Sequence, residues 1–94
     1  MFARVVITQQ KPDYMDQVIR YYRDVIPKVK ELAGFKRAYL LVDRKSGKNL
    51  TITQWDTEKN MQAAVVVLDR FIAEAPQNVA PLAPPVIEIY EVVE

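Results

Sequence analysis

The chain has 94 residues, 50% of them hydrophobic, and its 13 basic and 12 acidic side chains leave a formal net charge of +1. It contains no cysteine and no histidine, which excludes disulfides, thiolate or imidazole metal ligands, cysteine nucleophiles and imidazole bases. The near-zero charge offers no electrostatic footprint for nucleic acid or an anionic membrane.

A chain this short buries only about two thirds of its unfolded surface. With disulfides and metals excluded, association with a second copy is the remaining source of added stability. The apolar stretches are far shorter than the roughly 20 residues of a membrane span. The first residues read as a strand and not as a signal peptide, so a cytoplasmic location is expected.

Phe2–Gln9 is short and rich in β-branched residues, a first strand. Lys11-Pro12-Asp13 predicts a turn and a helix start, with Asp13 as N-cap. Over Tyr14–Ala33 the apolar residues Met15, Val18, Ile19, Tyr22, Val25, Ile26, Val29 and Leu32 recur at spacings of three and four, the period of an amphipathic helix. Pro27 falls inside it and predicts a kink or break, and Gly34 ends it.

Phe35–Asp43 and Asn49–Trp55 read as a strand pair joined by the polar segment Arg44–Lys48, with Gly47 available for positive φ. Asp56 is a plausible cap for a second helix over Thr57–Glu74, whose stripe is Met61, Ala64, Val65, Leu68, Phe71, Ile72 and Ala75. Residues Ala75–Pro85 hold four of the six prolines and form a loop, and Val86–Val93 is the last strand. Asn49-Leu50-Thr51 matches the glycosylation acceptor pattern by three residues only and carries little weight. The order is β-α-β-β-α-β, an α+β ferredoxin-like domain with a four-stranded antiparallel sheet and two helices on one face, spanning residues 1–94.

Alternation sorts the strands by face. Ala3, Val5 and Ile7, Leu40 and Val42, Leu50 and Ile52, and Ile87 and Ile89 make an aliphatic face for the helices. Arg4, Arg37, Tyr39, Thr53, Trp55, Glu88 and Tyr90 fall on the other. The matching hairpin register places Val42 opposite Leu50, with Arg37 and Tyr39 near Trp55 and Thr53. The second face is rich in aromatic residues and calls for a cover, which a second copy of the chain would supply.

The passage Pro27…Gly34-Phe35, the Trp55-Asp56 junction, and Pro84-Pro85 before a last strand ending Tyr90-Glu91-Val92 resemble the dimeric α/β-barrel superfamily, and within it the antibiotic-biosynthesis-monooxygenase type of domain. The resemblance covers the whole chain. It implies a homodimer whose two sheets form a barrel. It also implies oxygenation without a cofactor of a small aromatic or quinol-type substrate, which supplies the electrons to O2 after losing a proton. Haem-degrading relatives use a histidine as iron ligand, and this chain has none. Active sites of the family lie between sheet and helices, the side that the alternation makes aliphatic, and no catalytic base is identified there.

The candidate ligand-binding residues are Trp55, Tyr22, Tyr39, Gln54 and Arg37. Trp55 offers an indole N–H to a ligand, or plugs the strand end beneath Arg37 as a cation–π pair. Tyr22 lies on the stripe of the first helix, whereas Tyr21 falls off it and is expected at the surface. Tyr39 belongs to the aromatic face, and Gln54 is expected on the helix side. Arg4, Arg37 and Glu88 share the second face, where a charge cluster inside a dimer barrel could bind an anion or poise a base; a paired charge network at the rim is the expected arrangement. A non-catalytic dimer that binds a small apolar ligand or serves a structural role is the alternative to an enzyme. RNA-recognition domains share this topology, but Asn49–Trp55 lacks their basic-glycine-aromatic motif.

Overall fold

Strand and helix follow the two hydrophobic periods in turn. Strands β1 (Phe2–Gln9), β2 (Phe35–Val42), β3 (Lys48–Trp55) and β4 (Val86–Glu91) alternate with helices α1 (Met15–Lys30) and α2 (Glu58–Ala73) in a computed structural model that describes residues 1–94. The strands pair antiparallel in the order β2-β3-β1-β4, the ferredoxin-like arrangement. Both helices lie on one side of the sheet, α1 mainly over β2 and α2 over β1 and β3. No helix is long and apolar enough to cross a membrane.

The helix ends differ from expectation in ways that follow from local chemistry. Pro12–Tyr14 forms a single 3-10 turn, so Asp13 sits inside that turn and no side chain caps α1. Helix α1 continues through Pro27 without a break and stops at Lys30, three residues short of Ala33. The proline removes only the N–H that would reach the Arg23 carbonyl, within a turn of the end. The cap of α2 is Thr57, whose Oγ1 accepts the Asn60 N–H at 3.1 Å. Asp56 stands one residue earlier and accepts instead from the Asn60 side-chain amide at 2.9 Å.

The larger difference is the β2–β3 register. The Asp43 carboxylate accepts the Lys45 N–H at 2.9 Å and the Ser46 hydroxyl at 3.0 Å. Its backbone N–H donates to the Lys48 carbonyl at 2.9 Å. These bonds, with Gly47 at φ 81°, hold the loop to Arg44–Gly47 and make Lys48 the first residue of β3. Val42 therefore faces Asn49 and Leu41 faces Leu50, one residue away from the expected pairing. A slip of one residue turns every side chain to the opposite face.

Strands β1 and β3 are consequently inverted relative to the alternation reading. Arg4, Val6, Thr8, Asn49, Thr51, Thr53 and Trp55 point at the helices, in register with Leu40, Val42, Ile87 and Ile89. Val5, Ile7, Leu50 and Ile52 share the open side with Tyr39, Leu41, Glu88 and Tyr90. A bulge at Lys36 returns Phe35 to the helix side opposite Trp55.

The core is split. One cluster gathers Val29, Trp55, Met61, Ala64 and Leu68, with Phe2, Phe35 and Phe71 against it. The other joins Met15, Val18 and Val79, with Val42, Ile19 and Tyr21 packed around them. Val79 comes from the proline-rich loop, which is tied down by the Leu82 N–H to the Gln9 carbonyl at 2.8 Å and by the Gln10 amide to the Val79 carbonyl at 3.1 Å.

Gly47 tests the loop that sets the register. A Cβ there would meet the Gln10 carbonyl oxygen in a backbone conformation that L-residues avoid. Gly47→Ala is expected to lower stability by about 2 kcal/mol or more, read as a shifted midpoint in urea denaturation.

Candidate functional site

Between the two core clusters lies a cleft of about 130 Å³, and 13 of its 20 lining residues are hydrophobic. Its floor is the middle of β1 and β3, with Arg4, Val6 and Thr8 from one and Asn49, Thr51 and Thr53 from the other. Helix α1 supplies Val18, Tyr21, Tyr22, Val25, Ile26 and Val29, and α2 supplies Leu68, Phe71 and Ile72. Ala75, Val79 and Pro81 close one end. An apolar cavity of comparable size, roughly 150 Å³, holds one benzene ring. The cleft thus has room for a single-ring molecule.

Most polar groups in the wall are satisfied within the protein. Thr8 Oγ1 donates to Asn49 Oδ1 at 2.8 Å, and the Asn49 amide bonds Gln10 Oε1. The Tyr21 hydroxyl donates to the Phe71 carbonyl at 2.7 Å and so ties α1 to α2. Arg4 is 3% exposed, and one of its terminal N–H groups reaches Asp69 Oδ1 at 3.0 Å. No other protein group accepts from the guanidinium, and neither the Tyr22 nor the Thr51 side chain bonds a protein group. Three polar groups are therefore free to bind a ligand across an otherwise greasy cleft.

Burial lowers the pKa of Arg4 from its ordinary value, and the charge and hydrogen bond of Asp69 oppose that shift. The guanidinium stays charged regardless. Burial raises the phenol of Tyr22, and burial with the nearby charge of Glu74 raises that of Tyr21. Neither phenol is available as a base at neutral pH. The wall holds no carboxylate, imidazole or thiol, and no group of His, Cys, Asp or Glu side chains is arranged to hold a metal ion.

Of the five candidate ligand-binding residues named from the sequence, Tyr22 alone lines the cleft. Trp55 is fully buried in the adjacent cluster, and its indole N–H donates to Thr53 Oγ1 at 3.0 Å. Its ring meets the edge of Phe35, centroids 5.7 Å apart at 83°, and not the guanidinium of Arg37. Arg37 and Tyr39 are exposed on the open face, and Gln54 pairs with Arg37 there instead of turning to the helices. Arg4 separates from Arg37 and Glu88 and pairs with Asp69, so the expected rim network does not form. Tyr21, expected at the surface, is half-buried in the wall.

Arg4 was named from the sequence, but its place on the helix side was concealed by the wrong phase of β1. The available signal was Arg4 between Phe2 and Val6 at strand spacing, with Asp69 between Val65 and Ile72 at helical spacing. Each is a charge at the margin of an apolar stripe. Asn49, the matched glycosylation position, is buried and bonded to Gln10.

No protein-family model matches the chain. An uncharacterized protein of Mycobacterium tuberculosis, Rv2558, and its counterpart MT2635 in a second strain are each 35% identical over 66 residues, 69% of this chain. The matched segment spans 28% of the length of those relatives. Among solved structures, an antibiotic biosynthesis monooxygenase superposes with a TM-score of 0.77 at 18% identity, covering 100% of both chains. The haem-degrader MhuD of M. tuberculosis, with two haems bound in its active site, superposes with a TM-score of 0.79 at 14% identity over 100% of this chain and 97% of its own. A Nitrosomonas europaea protein of unknown function, NE2512, reaches a TM-score of 0.80 at 19% identity over 99% of this chain and 89% of its own. The chain thus has the ferredoxin-like fold of the antibiotic-biosynthesis-monooxygenase domains. The wall of its cleft offers neither imidazole nor thiolate to a haem iron, and its volume suits one ring.

Trp55 is expected to behave as a packing residue. Trp55→Ala should cost about 3–5 kcal/mol, measured by urea denaturation. Thr53→Val, which leaves the indole N–H without its partner, should cost about 1–3 kcal/mol.

Proposed function

We propose that this protein binds a small aromatic, quinol-type molecule in the cleft between sheet and helices and oxidises it with O2 as a cofactor-independent monooxygenase. The observation that carries the reading is the cleft itself, an apolar slot for one ring crossed by three free polar groups, Arg4, Tyr22 and Thr51. Such a lining buries the ring while a few fixed contacts orient it. For a quinol, one oxygen atom enters the ring to give a hydroxyquinone and the other leaves as water. The electrons come from the substrate, so the protein need only position the ring, favour its ionised form and exclude bulk water.

The absence of a neutral-pH base in the wall favours a second reading, a protein that binds such a ring without turning it over. Oxygen uptake with a panel of hydroquinones and phenols separates the two. Uptake is expected, and Ala75→Phe, which fills the end of the cleft, should reduce it at least tenfold. Ring binding with no uptake supports the second reading, and no ring binding by calorimetry defeats both.

The working form under either reading is a homodimer that joins the two open sheet faces into a barrel. Support comes from the face the register leaves uncovered, where Tyr39, Leu41 and Tyr90 are each about half exposed beside Val5, Ile7, Leu50 and Ile52. An apolar area this continuous is unusual on a monomer. Sedimentation at micromolar concentration should give twice the chain mass, and Leu41→Glu should return it to one. A wild-type monomer would rule the barrel out.

A further inference from the structure

We infer that Arg4 is an anion subsite, and that the molecule bound in the cleft is a single aromatic ring carrying an ionised oxygen, a phenolate or an aryl carboxylate. The inference rests on the cleft being the ligand site and adds the charge that its ligand must carry.

The argument begins with the cost of burying a guanidinium. Arg4 lies on β1 beneath both core clusters and is almost wholly removed from water. Burying a cation is expensive unless it is paired and its donors are satisfied. One terminal N–H is used, on Asp69, whose own side chain is 54% exposed. An ion pair to a carboxylate that water still reaches offsets only part of that cost. The remaining donors have no protein acceptor, and their nitrogens are not fully sealed from water; Arg4 borders the cleft, so a ligand there can take the place of that water. A guanidinium left in that state gains most from an acceptor that is itself charged and excluded from water, because charge-assisted bonds are roughly twice as strong as neutral ones.

The surroundings agree in sign. The titratable and charged groups that face this position are Arg4 from β1, Tyr21 and Tyr22 from α1, and Asp69 from α2. The facing residues of β2, β3 and the 75–85 segment carry no charge. Both phenols are neutral at physiological pH, so Arg4 supplies the only charge in the wall of the cleft, and Asp69 stands behind it at the surface. Tyr22 and Thr51 can donate to the same oxygen or to a second substituent on the ring. A wall with a fixed cation and no base cannot remove a proton from a ligand, but it selects one already ionised and lowers the pKa of one that is not. That is the assistance a ring needs before it can hand electrons to O2.

The test uses 4-nitrophenol, whose neutral and ionised forms absorb at different wavelengths, with nitrobenzene as a neutral ring of similar size. Benzoate and benzamide form the carboxylate arm and show which ionised oxygen the subsite prefers. Nitrobenzene binding reports the cleft, and the ionisation of bound 4-nitrophenol reports the subsite. The wild-type protein is expected to bind the anion at least tenfold tighter than the neutral form, so that the pKa of the bound probe falls by about one unit or more. Arg4→Met should remove that preference, so that bound 4-nitrophenol ionises at the same pH as the free probe. Asp69→Asn, a change at an exposed position, should increase the anion preference at least threefold by removing the competing carboxylate.

If nitrobenzene binds but 4-nitrophenol ionises at the same pH bound and free, the anion subsite is wrong and the cleft reading stands. If neither ring binds, both fall. If Arg4→Met does not fold, Asp69→Asn decides, because an unchanged or weakened anion preference in that variant overturns the inference.

Discussion

The side of the sheet that every β3 residue occupies depends on the length of one loop. Asp43 folds its carboxylate over the Lys45 N–H and the Ser46 hydroxyl, and Gly47 takes the positive φ that closes the loop at Arg44–Gly47. A loop one residue longer would pair Val42 with Leu50 and send Thr51, Thr53 and Trp55 away from the helices. The same register passes to β1 through its pairing with β3, where Arg4 lies opposite Thr53 and Val6 opposite Thr51. A few hydrogen bonds at a solvent-exposed turn thus decide that the helices cover a polar strip.

That strip is why the core is divided. Helices packed on an aliphatic sheet would close into one continuous core. Over Arg4, Thr51 and Thr53 they cannot approach as tightly, and the apolar residues gather at either end, around Trp55 and around Met15. The space between becomes the cleft, bridged above by the Tyr21 hydroxyl on the Phe71 carbonyl and anchored at one end by Gln10 on the Val79 carbonyl. The cleft is a by-product of incomplete packing around polar side chains. A chain of this length with a divided core gains from any further burial, and the aliphatic positions displaced from the helix side supply the surface for it on the other.

The chemistry open to such a cleft is narrow. It can desolvate a ring, hold it between two core clusters, and meet one edge with a guanidinium, a phenol and a hydroxyl. It lacks a group to remove a proton at neutral pH. Reactions in which the ligand brings its own electrons, and its own charge, fit these walls better than reactions that need an acid–base pair.

The sequence by itself determined the element order, because each segment repeats at a distinct period and glycine or proline punctuates the junctions. It also determined that histidine and cysteine chemistry is absent. The phase of the strands was beyond its reach. In β1, Ala3, Val5 and Ile7 alternate with Phe2 and Val6, so both faces read as apolar and alternation cannot choose between them. Leu50 and Ile52 pointed to the helices because the face expected to meet a second copy was read as the aromatic one. Tyr22 was found because a helix has one apolar stripe and one answer, whereas Gln54 and Arg4 were misplaced because a strand has two faces. The tertiary structure decided the matter through a local contact, the Asp43 carboxylate closing a four-residue loop, and through it brought Arg4 and Asp69, far apart in the chain, to 3.0 Å.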